Sequence, residues 1–186
     1  MDLLGTFVIA VGLALDAFAV AVCSGLATPR VRPGQAATMA AFFGGFQLAM
    51  PLVGWAAGLG LRDLIQTWDH WLAFALLAAV GGKMVFDGCR ADSCEARPDP
   101  FRLGTLLVLA LATSIDALAV GLTFSLLAAA IVVPVLVIGT VTFALTFAGV
   151  YAGRRFGDAL GGKVEVVGGL LLVAIGVKIV VEHLTA

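Results

Sequence analysis

Two aspartates in the middle of apolar sequence are the residues of this chain best suited to chemistry. Asp16 opens the phrase Asp16-Ala17-Phe18-Ala19-Val20, and Asp116 opens its near copy, Asp116-Ala117-Leu118-Ala119-Val120. A carboxylate at the centre of a membrane helix costs roughly 2.5–3.5 kcal/mol on insertion scales and is kept where it faces a partner or a water-filled path. Two carboxylates brought together in low dielectric repel each other strongly. A divalent cation neutralises both, and so do two protons, so such a pair suits the exchange of one M²⁺ for two H⁺. One aspartate alone could cap a broken helix or bond a neighbouring one. The same costly residue in the same phrase twice points to function.

Neutral oxygen donors stand at a similar depth. Gln47 offers an amide oxygen, Thr142 holds the corresponding place in the second half, and Thr113 and Ser114 precede Asp116 by a turn or less. Pro51 has no N–H, which frees the carbonyl of Gln47 either to face an ion or merely to kink the helix. Met50 offers a thioether but reads first as packing. Carboxylate, amide, hydroxyl and carbonyl oxygens suit Mg²⁺, Ca²⁺ or Mn²⁺. The two histidines, His70 and His183, fall at or near the outer ends of apolar segments, which disfavours zinc and copper. Cys23 reads as a small packing residue. Cys89 and Cys94 flank a charged stretch, with neither a second pair nor a histidine to complete a structural zinc site. If that stretch is cytosolic, a disulfide is not expected.

The elements that must hold these residues are helices in lipid. The chain has 186 residues, 61% hydrophobic and only 12% charged, with a mean hydropathy of +1.10. Soluble domains carry about 25% charged residues. The composition therefore predicts an all-α integral membrane protein, since helices satisfy the backbone internally where water is absent. Six transmembrane helices are expected, over residues 3–27, 35–59, 71–86, 103–127, 131–151 and 164–181. Leu64, Ile65 and Trp68 could lengthen the short third segment at its start. The first segment lacks the positive region of a cleaved signal peptide and reads as a mature membrane helix. A net charge of −1 and the lack of any long basic run argue against a nucleic-acid partner; the lipid bilayer is the expected surroundings.

Basic residues set the orientation. Arg30, Arg32, Arg90, Arg97, Arg102, Arg154, Arg155 and Lys163 fall in connections on one side, while the other side has Arg62. The positive-inside rule puts the first group in the cytoplasm and both termini in the periplasm. Lys83 and Lys178 lie near segment ends, where their stems can snorkel to an interface. Asp87 and Glu182 hold equivalent ends and read as interfacial charges beside them.

The chain also repeats itself. Gly44, Gly54 and Gly58 recur as Gly139, Gly149 and Gly153, and Gly81-Gly82-Lys83 recurs as Gly176-Val177-Lys178, both at a shift of 95. With three spans in each half, the second half must enter from the opposite side. The expected organisation is thus two inverted three-helix repeats, residues 1–87 and 103–186, joined by a polar cytoplasmic linker over 88–102. Inverted repeats often hold a transporter's substrate site at the midplane. Helical spacing puts Gly12, Asp16, Ala19 and Cys23 on one face, and Ala112, Asp116, Ala119 and Thr123 on its counterpart. Small residues beside each aspartate allow close helix contact.

With these residues in view, the sequence resembles the manganese efflux pump family (MntP type), small six-helix bacterial exporters. The matching stretches are Leu15-Asp16-Ala17-Phe18-Ala19-Val20, Phe43-Gly44-Gly45-Phe46-Gln47, Met50-Pro51-Leu52-Val53-Gly54-Trp55 and His70-Trp71-Leu72-Ala73-Phe74. Gly81-Gly82-Lys83-Met84, Ala112-Thr113-Ser114-Ile115-Asp116-Ala117-Leu118-Ala119-Val120-Gly121 and Gly168-Gly169 with Gly176 and Lys178 continue it along the whole chain. The resemblance implies export of Mn²⁺ across the inner membrane, with Asp16 and Asp116 as the family's intramembrane acidic residues and Mn²⁺ as cargo rather than a resident cofactor. One departure is Gln47, where some members carry glutamate; the site charge becomes −2 instead of −3.

No Gly-x-x-x-x-Gly-Lys-Ser/Thr phosphate loop occurs in the sequence, so coupling to protons is the expected energy source. An exporter of another divalent ion, or of a small solute such as an amino acid, is the competing reading; the latter would need cationic groups at the midplane. A membrane scaffold would not need two buried carboxylates. An intramembrane aspartyl protease would need a Gly-x-Gly-Asp context, which neither aspartate has. The chain therefore reads as a transporter and not an enzyme.

Overall fold

The first apolar stretch contains no proline and no charge besides Asp16, so it forms one uninterrupted helix, α1, over Leu3–Leu26. At 1.5 Å per residue its 24 residues span roughly 36 Å, more than the ~30 Å hydrocarbon core. The computed structural model describes residues 3–28, 30–65 and 100–155, together with the single positions 75, 78, 79, 82, 86, 170 and 177. Those single positions are helical. The third and sixth predicted segments otherwise lie outside the described residues, as do His70, His183, Lys83, Lys178, Asp87 and Glu182.

Helix α2, Pro33–Ile65, begins with its proline where a missing N–H costs nothing. The Oε1 of Gln35 accepts a hydrogen bond from the Arg32 backbone N–H at 3.0 Å, half of a capping box. The helix runs past its predicted end at residue 59 and takes in Leu64 and Ile65, which sequence reading had offered to the third segment. Nothing between Leu61 and Ile65 breaks a helix, so the backbone ladder simply continues.

Helix α3 covers Leu103–Leu126 and α4 covers Val132–Arg155. The five residues between them turn tightly. Ala129 N–H donates to the Phe124 carbonyl at 2.9 Å and Ala128 N–H to that of Ser125 at 3.1 Å, the paired bonds of a Schellman stop. Ala128 accordingly takes φ 53, a left-handed conformation usually given to glycine. All regular structure among the described residues is helical, and four helices there are long and apolar enough to cross a membrane.

Glycines decide which helices pair. Lipid tails give helices no hydrophobic reason to associate, so contact depends on backbones coming close. Along α2 and α3, Gly54 lies against the Leu118 carbonyl and Gly121 against the Pro51 carbonyl; a Cβ at either place would clash with main chain. Along α1 and α4, Gly153 meets the Val22 carbonyl and Gly25 meets that of Val150. Contacts advance together along each pair, Gly54 on Leu118 followed by Gly58 on Ser125 and Gly149 on Phe18 followed by Gly153 on Val22, so each pair is parallel. Between α2 and α4 the approach is reciprocal: a Cβ on Gly44 would stand 3.0 Å from the Gly139 carbonyl oxygen, and one on Gly139 would stand 3.2 Å from that of Gly44. The contacts recur at fixed shifts. Gly54 on Leu118 corresponds to Gly149 on Phe18, at steps of 95 and 100.

Two apolar cores result. One joins Ile9, Ala10 and Leu13 of α1 to Ala117, Val120 and Phe124 of α3, with Val135 and Ile138 of α4. The other joins Ala17 and Ala21 of α1 to Leu106 and Ala110 of α3, with Met39 and Phe43 of α2 and Val150 of α4. The early part of α1 meets the late part of α3 and the reverse, so these two helices cross antiparallel. This arrangement gathers Arg30, Arg32, Arg102, Arg154 and Arg155, all exposed, at one end of the bundle.

Candidate polar site between the two cores

Six of the ten polar or charged side chains buried among the described residues lie near the level where α1 and α3 cross. On α1, Asp16 falls between Leu13 of one core and Ala17 of the other; on α3, Thr113, Ser114 and Asp116 fall between Ala110 and Ala117. Gln47 lies between Phe43 and Leu48 on α2, and Thr142 and Thr146 lie between Ile138 and Val150 on α4. A polar band drawn from four helices thus separates two apolar cores. Burying oxygen atoms costs free energy unless something satisfies them.

The face of α3 is sharply defined. Asp116 is 5% exposed and Ser114 is fully buried, while Ile115 between them is 57% exposed and faces outward. Asp16 is half-buried. Neither carboxylate is without interactions inside the protein. One detail of the predicted face is corrected: Ala112 is exposed. A helix turns 40° beyond a full circle in four residues, so a row of four-residue steps drifts off the inner face. The inward row runs instead through Leu106, Ala110, Thr113, Asp116 and Val120.

Gln47 and Thr113, predicted separately, meet. The Gln47 amide Nε2–H donates to the Thr113 carbonyl at 3.1 Å, across the α2–α3 pair. Since a carbonyl can only accept, this bond fixes which end of the amide is nitrogen. The Oε1 of Gln47 is then left fully buried with no hydrogen-bond partner. The cost of such an orphan is about 1–3 kcal/mol. The hydroxyls beside it behave differently. Thr113 Oγ1 donates to the carbonyls of Leu109 and Ala110 at 3.0 and 3.3 Å, and Ser114 Oγ donates to that of Leu111 at 3.0 Å. Their protons are spent on the backbone, but their oxygen lone pairs stay able to coordinate a cation.

Thr142 is fully buried and its Oγ1 has no hydrogen-bond partner. Thr146, one turn on, is in the same condition; sequence reading did not single it out. A signal was there, since a four-residue stride from Thr142 puts Thr146 on the same face.

Sulfur takes no part in the band. Met50 packs beside the first core, as expected. Cys23 is disulfide-bonded, not the free packing thiol expected, and it sits about two turns from Asp16. Cys89 and Cys94 lie outside the described residues. The donors left are oxygens, which match hard divalent ions. Among the described residues no three His, Cys, Asp or Glu side chains come together.

Apolar spanning helices around a buried polar band define a multi-pass membrane protein. Within that class the family is settled by comparison with known proteins. Residues 30–180 match the model of the family described as "Putative manganese efflux pump", and the chain belongs to that family. It is 46% identical over 184 residues to the "Putative manganese efflux pump MntP" of Gloeothece citriformis, covering 99% of this chain and 97% of that one. Proteins of the same name from Sorangium cellulosum and Methanospirillum hungatei are each 46% identical, over 189 and 185 residues, with 99% of this chain covered and 98% and 96% of theirs. No solved structure matches the chain. The family is one of transporters, not enzymes.

Proposed function

We propose that this protein exports Mn²⁺ across the bacterial inner membrane in exchange for protons. The observation that carries the reading is the band of buried oxygens between two apolar cores, with Asp16 and Asp116 supplying the charge. Gln47, Thr113 and Thr142 serve as neutral donors around them. The names carried by the relatives supply manganese, which the donor chemistry alone leaves open among hard divalent ions.

Moving two positive charges outward against an inside-negative potential costs about 4.6 kcal/mol per 100 mV. Two protons entering for each ion leaving cancel that charge movement. The aspartates provide the exchange: ionised they hold the metal, and protonated they release it and return neutral. Residues 1–87 and 103–186 act as inverted repeats linked through 88–102. The recurrence of the Gly54–Leu118 contact as Gly149–Phe18, and the mutual approach of Gly44 and Gly139, favour this organisation. Rocking of one repeat on the other exposes the polar band to each side in turn. The exposed arginines at one bundle end favour a cytoplasmic location for that end, with both chain termini periplasmic.

Reconstitution into proteoliposomes containing a pH-sensitive dye tests the reading. A Mn²⁺ gradient is expected to drive counter-movement of protons, and Asp16→Asn and Asp116→Asn are each expected to stop it while leaving reconstitution efficiency unchanged. Mn²⁺ flux with no proton movement would reject antiport. Transport surviving in either variant would reject the aspartate site, and flux of an amino acid instead of metal would favour the competing reading.

A further inference from the structure

Hydroxyls on these helices normally turn back to their own backbone. Thr38, Thr113, Thr123 and Thr140 each donate to the carbonyl four residues earlier, at 2.7–3.1 Å. Thr146 does not: its Oγ1 is fully buried and has no hydrogen-bond partner at all. The direction it faces follows from its neighbours. Three residues on, Gly149 packs against Phe18 and Ala21, and a further turn brings Gly153 onto Val22. Stepping back along this parallel pair brings Thr146 to about the level of Leu15 and Asp16 on α1. The equivalent position in the other half, 95 residues earlier, is Pro51, which frees a backbone carbonyl at the corresponding level of α2.

We propose that Thr146 is a further oxygen donor to the transported divalent cation, completing with Thr142 the α4 wall of the site. The two halves then contribute different oxygens at matching places, an amide and a freed carbonyl on α2 and two hydroxyls on α4. A threonine hydroxyl carries two oxygen lone pairs, and those of the buried Thr146 Oγ1 accept from no donor in the protein, which leaves them open to a hard ion. This inference rests on the polar band being the cation site.

Thr146→Val and Thr146→Ser in the full-length protein test it, because valine keeps the shape and serine keeps the oxygen. Two readouts are taken: thermal stabilisation of purified protein by Mn²⁺, and the KM for Mn²⁺ in proteoliposomes. Thr146→Val is expected to melt no lower than wild type without metal, since no hydrogen bond is removed. It should also weaken Mn²⁺ binding and raise KM by about tenfold, a loss of ~1.4 kcal/mol. Thr146→Ser should restore most of both. Unchanged Mn²⁺ affinity in the valine variant would overturn the proposal. So would a valine variant that fails to fold or melts well below wild type without metal, because the hydroxyl would then be structural. A wild-type protein that Mn²⁺ neither stabilises nor crosses with would overturn the cation-site reading itself, before any variant is compared.

Discussion

Replacing Gln47 by leucine separates structure from transport, because the two effects have opposite signs. The change removes the bond from Nε2 to the Thr113 carbonyl, 3.1 Å long, which contributes about 0.5–1.5 kcal/mol net. It also removes the buried, unpartnered Oε1, whose cost is about 1–3 kcal/mol. Thr113 lies inside α3, so its carbonyl keeps a place in the helix ladder. The site is fully buried, and leucine fills a comparable volume with apolar atoms. The sum puts the metal-free Gln47→Leu protein between about 0.5 kcal/mol less stable and about 2.5 kcal/mol more stable than wild type. Transport moves the other way: loss of an oxygen ligand should raise the KM for Mn²⁺ by at least about tenfold. Thermal unfolding in detergent without metal and Mn²⁺ uptake by inverted vesicles measure the two quantities. A variant destabilised by more than ~2 kcal/mol with its KM unchanged would show that Gln47 is only a clamp between α2 and α3, and the reasoning would fail.

Other perturbations test the packing. A side chain at Gly121 would meet the main chain of Pro51, whereas one at Gly45 has nothing within 4 Å. Gly121→Val should therefore cost about 3 kcal/mol or prevent accumulation in the membrane, while Gly45→Ala should be neutral or add ~0.5–1 kcal/mol through helix propensity; melting temperatures of the two compared side by side decide. Ala128 holds φ 53 at the end of α3, and Ala128→Gly should stabilise the protein by about 1 kcal/mol, read from the shift in melting temperature at unchanged transport rate.

The sequence alone carried the helices and the charges. Continuous apolar runs leave few alternatives to spanning helices, and all four that the structure describes begin or end within a few residues of expectation except at the far end of α2. There the absence of any stop signal outweighed the fall in hydrophobicity. The two aspartates, Gln47, Thr113 and Thr142 were legible too, because a polar atom in an apolar run is conspicuous whatever surrounds it. Pairing was not legible. Periodicity says which residues share a helix face but not which helix that face meets, so the Gln47–Thr113 bond and the parallel pairs α2–α3 and α1–α4 emerge only from backbone approach at glycines. The same limit explains Ala112, assigned inward by a four-residue stride but turned outward by the helix's own rotation. It also explains Thr146, an ordinary threonine in sequence that becomes distinctive once its hydroxyl, like that of Thr142, is seen buried without the backbone bond that Thr140 makes. The disulfide at Cys23 belongs with these, since a covalent link between distant residues depends on their meeting in space. Cost marks a site in one dimension; only the fold says what stands around it.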